Sequence, residues 1–79
     1  MAAIRELVED IAKALVEKPD QVVVRENDGG HATLLELRVA PEDLGRVIGK
    51  QGRTARSIRL LLAAVSLKSN RRISLEIAE

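Results

Sequence analysis

Two glycines separated by two polar residues, Gly49 and Gly52, interrupt a helical hydrophobic pattern in this 79-residue chain. Before Gly49, apolar residues at helical spacing predict a helix of about two turns that follows Pro41, a residue favoured in a first helical turn. After Gly52, a longer apolar stripe predicts a helix that ends near Ser69 and Asn70. Because glycine allows a sharp reversal and a close approach to the backbone, the pattern predicts two helices joined by a tight, accessible turn.

The rest of the hydrophobic pattern predicts one more helix and three strands. The expected helix spans residues 2–17, and the expected strands span residues 21–26, 33–39 and 71–78. The helix must end before Pro19, since the residue preceding proline avoids the helical region. Turn-forming residues at 27–30 predict that the first two strands form an antiparallel hairpin. The order α-β-β-α-α-β predicts a single α+β domain, residues 1–79, with helices on one face of a three-stranded sheet.

Composition excludes several classes of function. The chain has no Phe, Trp, Tyr or Cys, and its single histidine is His31, at the expected hairpin tip. The absence of aromatic rings argues against base stacking of the kind seen in RRM sheets and typical single-strand-binding OB folds. Without cysteine there is no disulfide, thiolate metal site or cysteine nucleophile. Ser57 has no plausible His or Asp partner, so we expect no catalytic residue, metal or cofactor.

Charge is distributed unevenly along the chain. Residues 1–40 contain five basic and eight acidic side chains, a net charge of −3, whereas residues 41–79 contain eight basic and four acidic ones, a net charge of +4. From Leu44 through Leu75 there are eight Arg and Lys residues and no acid. The acidic N-terminal segment has no unbroken apolar stretch, so we expect a cytoplasmic protein without a signal peptide or a membrane span.

The predicted turn combines features that favour phosphate binding. The long helix begins with Gly52 and Arg53, so no side chain suited to N-capping is present and its first amides are available to an anion. Lys50, Arg53 and Arg56 surround this helix end, where the helix dipole also favours negative charge. Glycine spacing and the residue after Lys50 exclude a Walker loop. The alternatives are a plain helix–helix turn and, for the arginines, a solvated helix face.

The segment Val47-Ile48-Gly49-Lys50-Gln51-Gly52, followed by Ile58, matches the KH-domain signature. Residues 44–59 closely resemble the small bacterial single-KH-domain proteins of the KhpA family, and the resemblance extends over essentially the whole chain. It implies a type II KH domain with a three-stranded mixed sheet, whose loop clamps the backbone of about four nucleotides of single-stranded RNA or DNA.

The resemblance also implies which residues bind RNA: Arg46, Val47, Ile48, Gly49, Lys50, Gln51, Gly52, Arg53 and Arg56. The basic residues among them would line the backbone, while Val47 and Ile48 would offer an aliphatic groove to the bases. Family membership further implies an RNA chaperone or post-transcriptional regulator. It implies a larger KH-containing partner, KhpB (Jag-like), and a link in some bacteria to cell elongation, division and cell-wall homeostasis.

The long helix carries more apolar residues than a core requires. With Ile58, Leu62 and Val65 facing inward, a second apolar set points away from the core or lies on the shoulder of the helix. This set is Leu60, Leu61, Ala64 and Leu67. It predicts a protein–protein contact, either in a homodimer or with the partner's KH domain, unless neighbours within the chain cover it.

Two further hypotheses compete with RNA binding. The first is an interaction adaptor whose main task is dimerisation, with only residual nucleic-acid binding. The second is an enzyme acting on a phosphorylated small molecule, for which the sequence offers no acid–base pair and no metal-ligand set.

Overall fold

A computed structural model of the protein describes residues 2–78, and in it helices and strands follow one another in the expected order α-β-β-α-α-β. The helices are α1 (Ala2–Leu15), α2 (Leu44–Ile48) and α3 (Arg53–Ser69), and the strands are β1 (Val23–Gly29), β2 (Ala32–Arg38) and β3 (Arg72–Ile77). Single 3-10 turns occur at Pro19–Gln21, Pro41–Asp43 and Lys50–Gly52. Met1 and Glu79, the two ends of the expected domain, lie outside the described residues.

The three strands form one mixed sheet in the order β1-β2-β3, which confirms the expected fold class. β1 pairs antiparallel with β2, and β2 pairs parallel with β3. A parallel pair needs a crossover connection, and here α2 and α3 together supply it. The loop between these two helices therefore lies within the connection from β2 to β3, and the sheet holds both ends of that connection.

Burial alternates along each strand, so one face of the sheet is covered and the other is exposed. In β2, Thr33, Leu35 and Leu37 are buried, whereas their neighbours are partly or fully exposed. The helices supply the rest of an entirely aliphatic core. Its buried members are Ile4, Val8, Ala12, Val22, Val24, Leu35, Leu37, Val47, Ile58, Leu62, Ile73 and Leu75. Helices on one face of the sheet are thus confirmed.

The first helix and all three strands differ from their predicted bounds by one to three residues, and two of these shifts have a visible structural cause. The hairpin reverses at Gly30 and His31, not at 27–30, because β1 continues to Gly29, which pairs with Ala32. Gly30 has φ 63°, which suits the first position of a tight hairpin loop. Helix α1 ends at Leu15, and the amides of the following residues 17 and 18 bind a carboxylate on the segment before α2.

Candidate nucleic-acid interface

Gly49 ends α2 in a conformation that is open to glycine alone. Its φ of 79° and ψ of 170° lie in a backbone region that residues with a Cβ avoid. Its amide donates to the carbonyl of Gly45 at 2.9 Å, which closes the short helix. A Cβ on Gly49 would lie 2.8 Å from the amide nitrogen of Thr54, with the Thr54 side chain closer still. The first glycine is therefore required by both conformation and packing.

The rest of the loop reverses through left-handed backbone. Gln51 has φ 57° and Gly52 has φ 75°, both in the left-handed helical region. The Gly52 amide donates to the Gly49 carbonyl at 3.0 Å, and the Arg53 amide donates to the Lys50 carbonyl. Two amides expected to be available to an anion are thus used inside the loop, so the donors left for a ligand begin further into α3.

No side chain caps the start of α3, as predicted, and three exposed cations surround it. Lys50, Arg53 and Arg56 make no hydrogen bond or ion pair with any other described residue. α3 is 17 residues long, and its aligned peptide dipoles place partial positive charge at this end. Free cations, an uncapped helix end and an exposed glycine loop therefore coincide, which is the arrangement expected for a phosphate-binding surface.

Arg46 lies in a different environment from these three cations. Its Nη2 is 2.6 Å from Glu17 Oε1, and its Nε is 3.5 Å from Asp43 Oδ1. Asp43 is buried, and its two oxygens accept from the amides of Glu17 at 3.1 Å and Lys18 at 3.0 Å. Arg46 is thus paired with Glu17 after α1 and Asp43 before α2, although about half of its side chain remains exposed to solvent.

A second ion pair lies beside this one. Lys18 Nζ donates to Glu42 Oε2. This hydrogen bond and the attraction between the two charges raise the pKa of Lys18 and lower the pKa of Glu42. We call Asp43 and these two ion pairs the α1–α2 latch: Glu17, Lys18, Glu42, Asp43 and Arg46.

Val47 and Ile48 were both expected to face the bases, and the structure separates them. Val47 has no exposed surface, because it packs in the core beneath α2. Its expected contact with a base is therefore wrong, and its side chain instead supports the loop from below. Ile48 is partly exposed, so its expected contact with a base stays a prediction. The difference arises because adjacent residues of a helix face directions about 100° apart.

The apolar set on α3 is exposed. Leu60 is 66% exposed, Leu61 53% and Leu67 87%, and Ala64 is also exposed. Neighbours in the described chain thus leave more than half of each of these leucines uncovered, so the alternative that they cover the whole set is wrong. An open groove of about 1020 Å³ adjoins Leu67 at the opposite end of α3 from the glycine loop. Its lining includes Ala32, Ala63 and Ile73.

Three side chains make long-range contacts that the sequence did not reveal: Asp43, Arg59 and Arg71. Nothing in the pattern around Asp43 distinguished it from an ordinary acid in a first helical turn. The Arg71 guanidinium donates to Thr33 Oγ1 at 2.8 Å and to Asp28 Oδ1 at 3.4 Å, and no local pattern indicated either contact. Arg59 Nη2 donates to the carbonyl of Leu75 in β3 at 3.3 Å.

Within residues 2–78, no group of three or more His, Cys, Asp or Glu side chains is arranged to hold a metal ion. Over the same range, no helix has the length and apolar character needed to cross a membrane.

The sheet topology, the paired helices and the Gly-x-x-Gly loop between them define a type II KH domain. Residues 5–77 match the family model described as KhpA/KhpB, KH domain. The chain is 56% identical over 72 residues to the RNA-binding protein KhpA of Caldanaerobacter subterraneus subsp. tengcongensis, covering 91% of this chain and 96% of the relative. It is 48% identical over 79 residues to that of Aquifex aeolicus, covering all of both chains. The protein belongs to the KhpA/KhpB KH-domain family, a family of RNA-binding and not catalytic proteins.

Solved structures of Era share the fold. A crystal structure of an Aquifex aeolicus Era variant bound to GDP and AlF4− matches with a TM-score of 0.62 and 23% identity over 95% of this chain. Era in complex with MgGDPNP and nucleotides 1506–1542 of 16S ribosomal RNA matches with a TM-score of 0.60 and 26% identity over 94% of this chain. The present chain spans 29% and 28% of those two Era chains.

Proposed function

We propose that this protein binds single-stranded RNA by clamping its sugar–phosphate backbone at the Gly49–Gly52 loop. The observation that carries the proposal is the coincidence of a glycine-only turn, the uncapped start of α3 and three exposed cations without partners in the described chain. The RNA-binding name of the relatives and the RNA-bound structure of a protein with the same fold support it.

The binding mode follows from the side chains that are available. Lys50, Arg53 and Arg56 neutralise phosphates, and the loop allows close approach of the backbone because its glycines carry no side chain. Ile48 supplies an aliphatic contact to a base. With no aromatic ring in the chain, stacking adds nothing, so one domain binds with modest affinity and little sequence preference.

A double substitution tests the loop directly. Lys50→Asp with Gln51→Asp places two carboxylates where phosphates would lie, and both side chains are exposed, so the fold should be retained. Lys13→Asp with Gln21→Asp is the matched control. It makes the same two residue changes and the same change of charge at exposed positions in the N-terminal part of the chain, away from the loop in sequence. We expect the loop variant to lose binding to a single-stranded RNA oligonucleotide while the control retains it. Binding by a folded loop variant would refute the proposal.

The salt dependence of the same binding reaction tests the backbone clamp independently. About four phosphate contacts imply a log–log slope of affinity against salt near −3 for a single strand. A flat response would show that phosphate neutralisation does not drive binding.

The exposed apolar face of α3 favours a second, compatible function in protein association. Leucines exposed by half or more along one helix are unusual for a monomer and are typical of a surface that another chain covers. We propose that this face mediates a homodimer or a heterodimer with a larger KH-containing protein (KhpB, Jag-like). A dimer would present two loops to one RNA and gain avidity.

At the cellular level we propose a cytoplasmic RNA chaperone or post-transcriptional regulator, acting with that partner in cell elongation and cell-wall homeostasis. The family resemblance supports this role. Crosslinking in cells followed by sequencing of bound RNA is the test, with the Lys50→Asp, Gln51→Asp variant as the background control. Enrichment of the same RNAs by both proteins would contradict it.

A further inference from the structure

In the α1–α2 latch, Arg46, one of the expected RNA-binding cations, is paired with Glu17. We infer that the Glu17 carboxylate competes with an RNA phosphate for Arg46. The Glu17–Arg46 ion pair therefore lowers the affinity of the protein for RNA. This inference rests on the proposed function and concerns the same site. It assigns an affinity-setting role to Glu17, an acid that follows α1 and lies outside the KH signature.

The geometry makes the competition specific. Arg46 lies in α2, three residues before the first loop glycine, yet its Nη2 is 2.6 Å from Glu17 Oε1. Lys50, Arg53 and Arg56 have no such partner in the described chain. A guanidinium engaged by a carboxylate must exchange that contact for a phosphate, whereas the other three cations exchange only water.

The position of Glu17 is set by a buried group. Asp43 is 2% exposed and accepts from the Glu17 and Lys18 amides, which pins this backbone against α2. The Glu17 side chain then projects from a fixed point toward Arg46. Because the Glu17–Arg46 pair is itself exposed, with side chains 71% and 51% accessible, it is weak enough for a phosphate to displace.

The test is a double-mutant cycle on RNA affinity. Glu17→Gln keeps the size of the side chain and removes its charge, and we expect RNA to bind about two- to fivefold more tightly at low salt, the range for one exposed ion pair. In an Arg46→Gln background the same Glu17→Gln change should have no effect. The gain should also shrink as added salt screens the pair.

Glu42→Gln is the matched control, since it removes one negative charge from the same latch but pairs with Lys18 and not with Arg46. An equal gain in affinity from Glu42→Gln, or a gain from Glu17→Gln that persists without Arg46, would overturn the inference in favour of a general charge effect. No gain from Glu17→Gln would overturn it as well.

The loop double variant separates this inference from the proposed function. If Lys50→Asp with Gln51→Asp abolishes binding while Glu17→Gln changes nothing, the clamp stands and the competition fails. If the loop variant still binds, the clamp itself is wrong, whatever Glu17→Gln does.

Discussion

Single residues set the conformation of the loop, and its two glycines do so for different reasons. Gly49 has both a glycine-only conformation and no room for a Cβ beside Thr54. Gly52 has a left-handed φ of 75° but open space around the position of a Cβ. Gly45, one turn earlier, has open space and no positive φ. The sequence motif treats the two loop glycines as equivalent, but the structure shows that Gly49 tolerates a side chain less well than Gly52 does.

Alanine substitution at these three positions should give three different stabilities. Gly49→Ala should destabilise most, by about 1–3 kcal/mol from backbone strain alone, with packing strain in addition. Gly52→Ala should cost about 1–2 kcal/mol, since only the left-handed conformation opposes it. Gly45→Ala should stabilise by about 0.5–1 kcal/mol through helix propensity. Urea unfolding measures all three, and equal losses at Gly49 and Gly52 would contradict the ranking.

Asp28, close to the hairpin tip, makes the stability of the fold depend on pH. The hydrogen bond that Thr33 donates at 2.8 Å is the main cause that lowers the pKa of Asp28, and Arg71 nearby lowers it further. A carboxyl with a lowered folded pKa contributes stability that is complete above its unfolded pKa and is lost as pH falls through the folded pKa.

Replacing Thr33 with Val should weaken that dependence. Thr33→Val keeps the side-chain shape but removes the hydroxyl, so the pKa of Asp28 should rise toward its ordinary value. The variant should lose stability at pH 7 and should lose less than the wild type as pH falls below the ordinary carboxyl range. Thermal melts at a series of pH values test this, and parallel stability curves for the two proteins would contradict it.

At the scale of elements, the buried carboxylate of Asp43 joins α1 to α2. It accepts two backbone amides that would otherwise lack partners where α1 has ended. Asp43→Ala should therefore destabilise by about 1–3 kcal/mol, the range for leaving buried polar groups unsatisfied. Glu42→Ala, one residue away and exposed, should change stability by less than about 1 kcal/mol. Equal effects in urea unfolding would show that Asp43 is not a specific link.

Element order, strand alternation and the position of the glycine turn were all predictable, because each depends on periodicity or on a residue with special backbone freedom. The hairpin turn was misplaced because Asn27 and Asp28, good turn formers, are used as strand residues whose side chains bond Glu36 and Thr33. Val47 and Ile48 were both predicted on the apolar side of α2, and a five-residue helix is too short for periodicity to show which of the two is buried.

Long-range contacts were beyond the sequence for a different reason. The Asp43 link spans 25 and 26 residues, and the Arg71–Thr33 contact spans 38. Because no short window of sequence contains both partners, neither contact has a local signature. The same applies to Arg59, whose contact with the edge of β3 depends on how α3 packs over the sheet.

For the whole molecule, α3 carries an uncapped end surrounded by three cations at its start and the apolar face along its length. If that face forms a dimer, Leu60→Asp should convert the dimer to a monomer in sedimentation velocity. Leu7→Asp is the matched control, because it places the same charge on an exposed leucine of α1. Wild-type protein that is monomeric at high concentration and does not bind a KH-containing partner would refute the interface.

The same variant connects assembly to binding. A dimer offers two loops, so RNA long enough to reach both should bind more weakly to Leu60→Asp than to the wild type. RNA of about four nucleotides occupies one loop and should bind both proteins equally. Equal affinities for the long RNA would show that the two loops do not act together.

The central claim is that RNA lies on the Gly49–Gly52 loop and the start of α3. Amide chemical-shift mapping by NMR during titration with a short single-stranded RNA tests it most directly. We expect the largest changes on the loop amides and the first turn of α3, with Val47 changing less than Ile48. Changes confined to the exposed face of the sheet, or to the groove at the far end of α3, would contradict it.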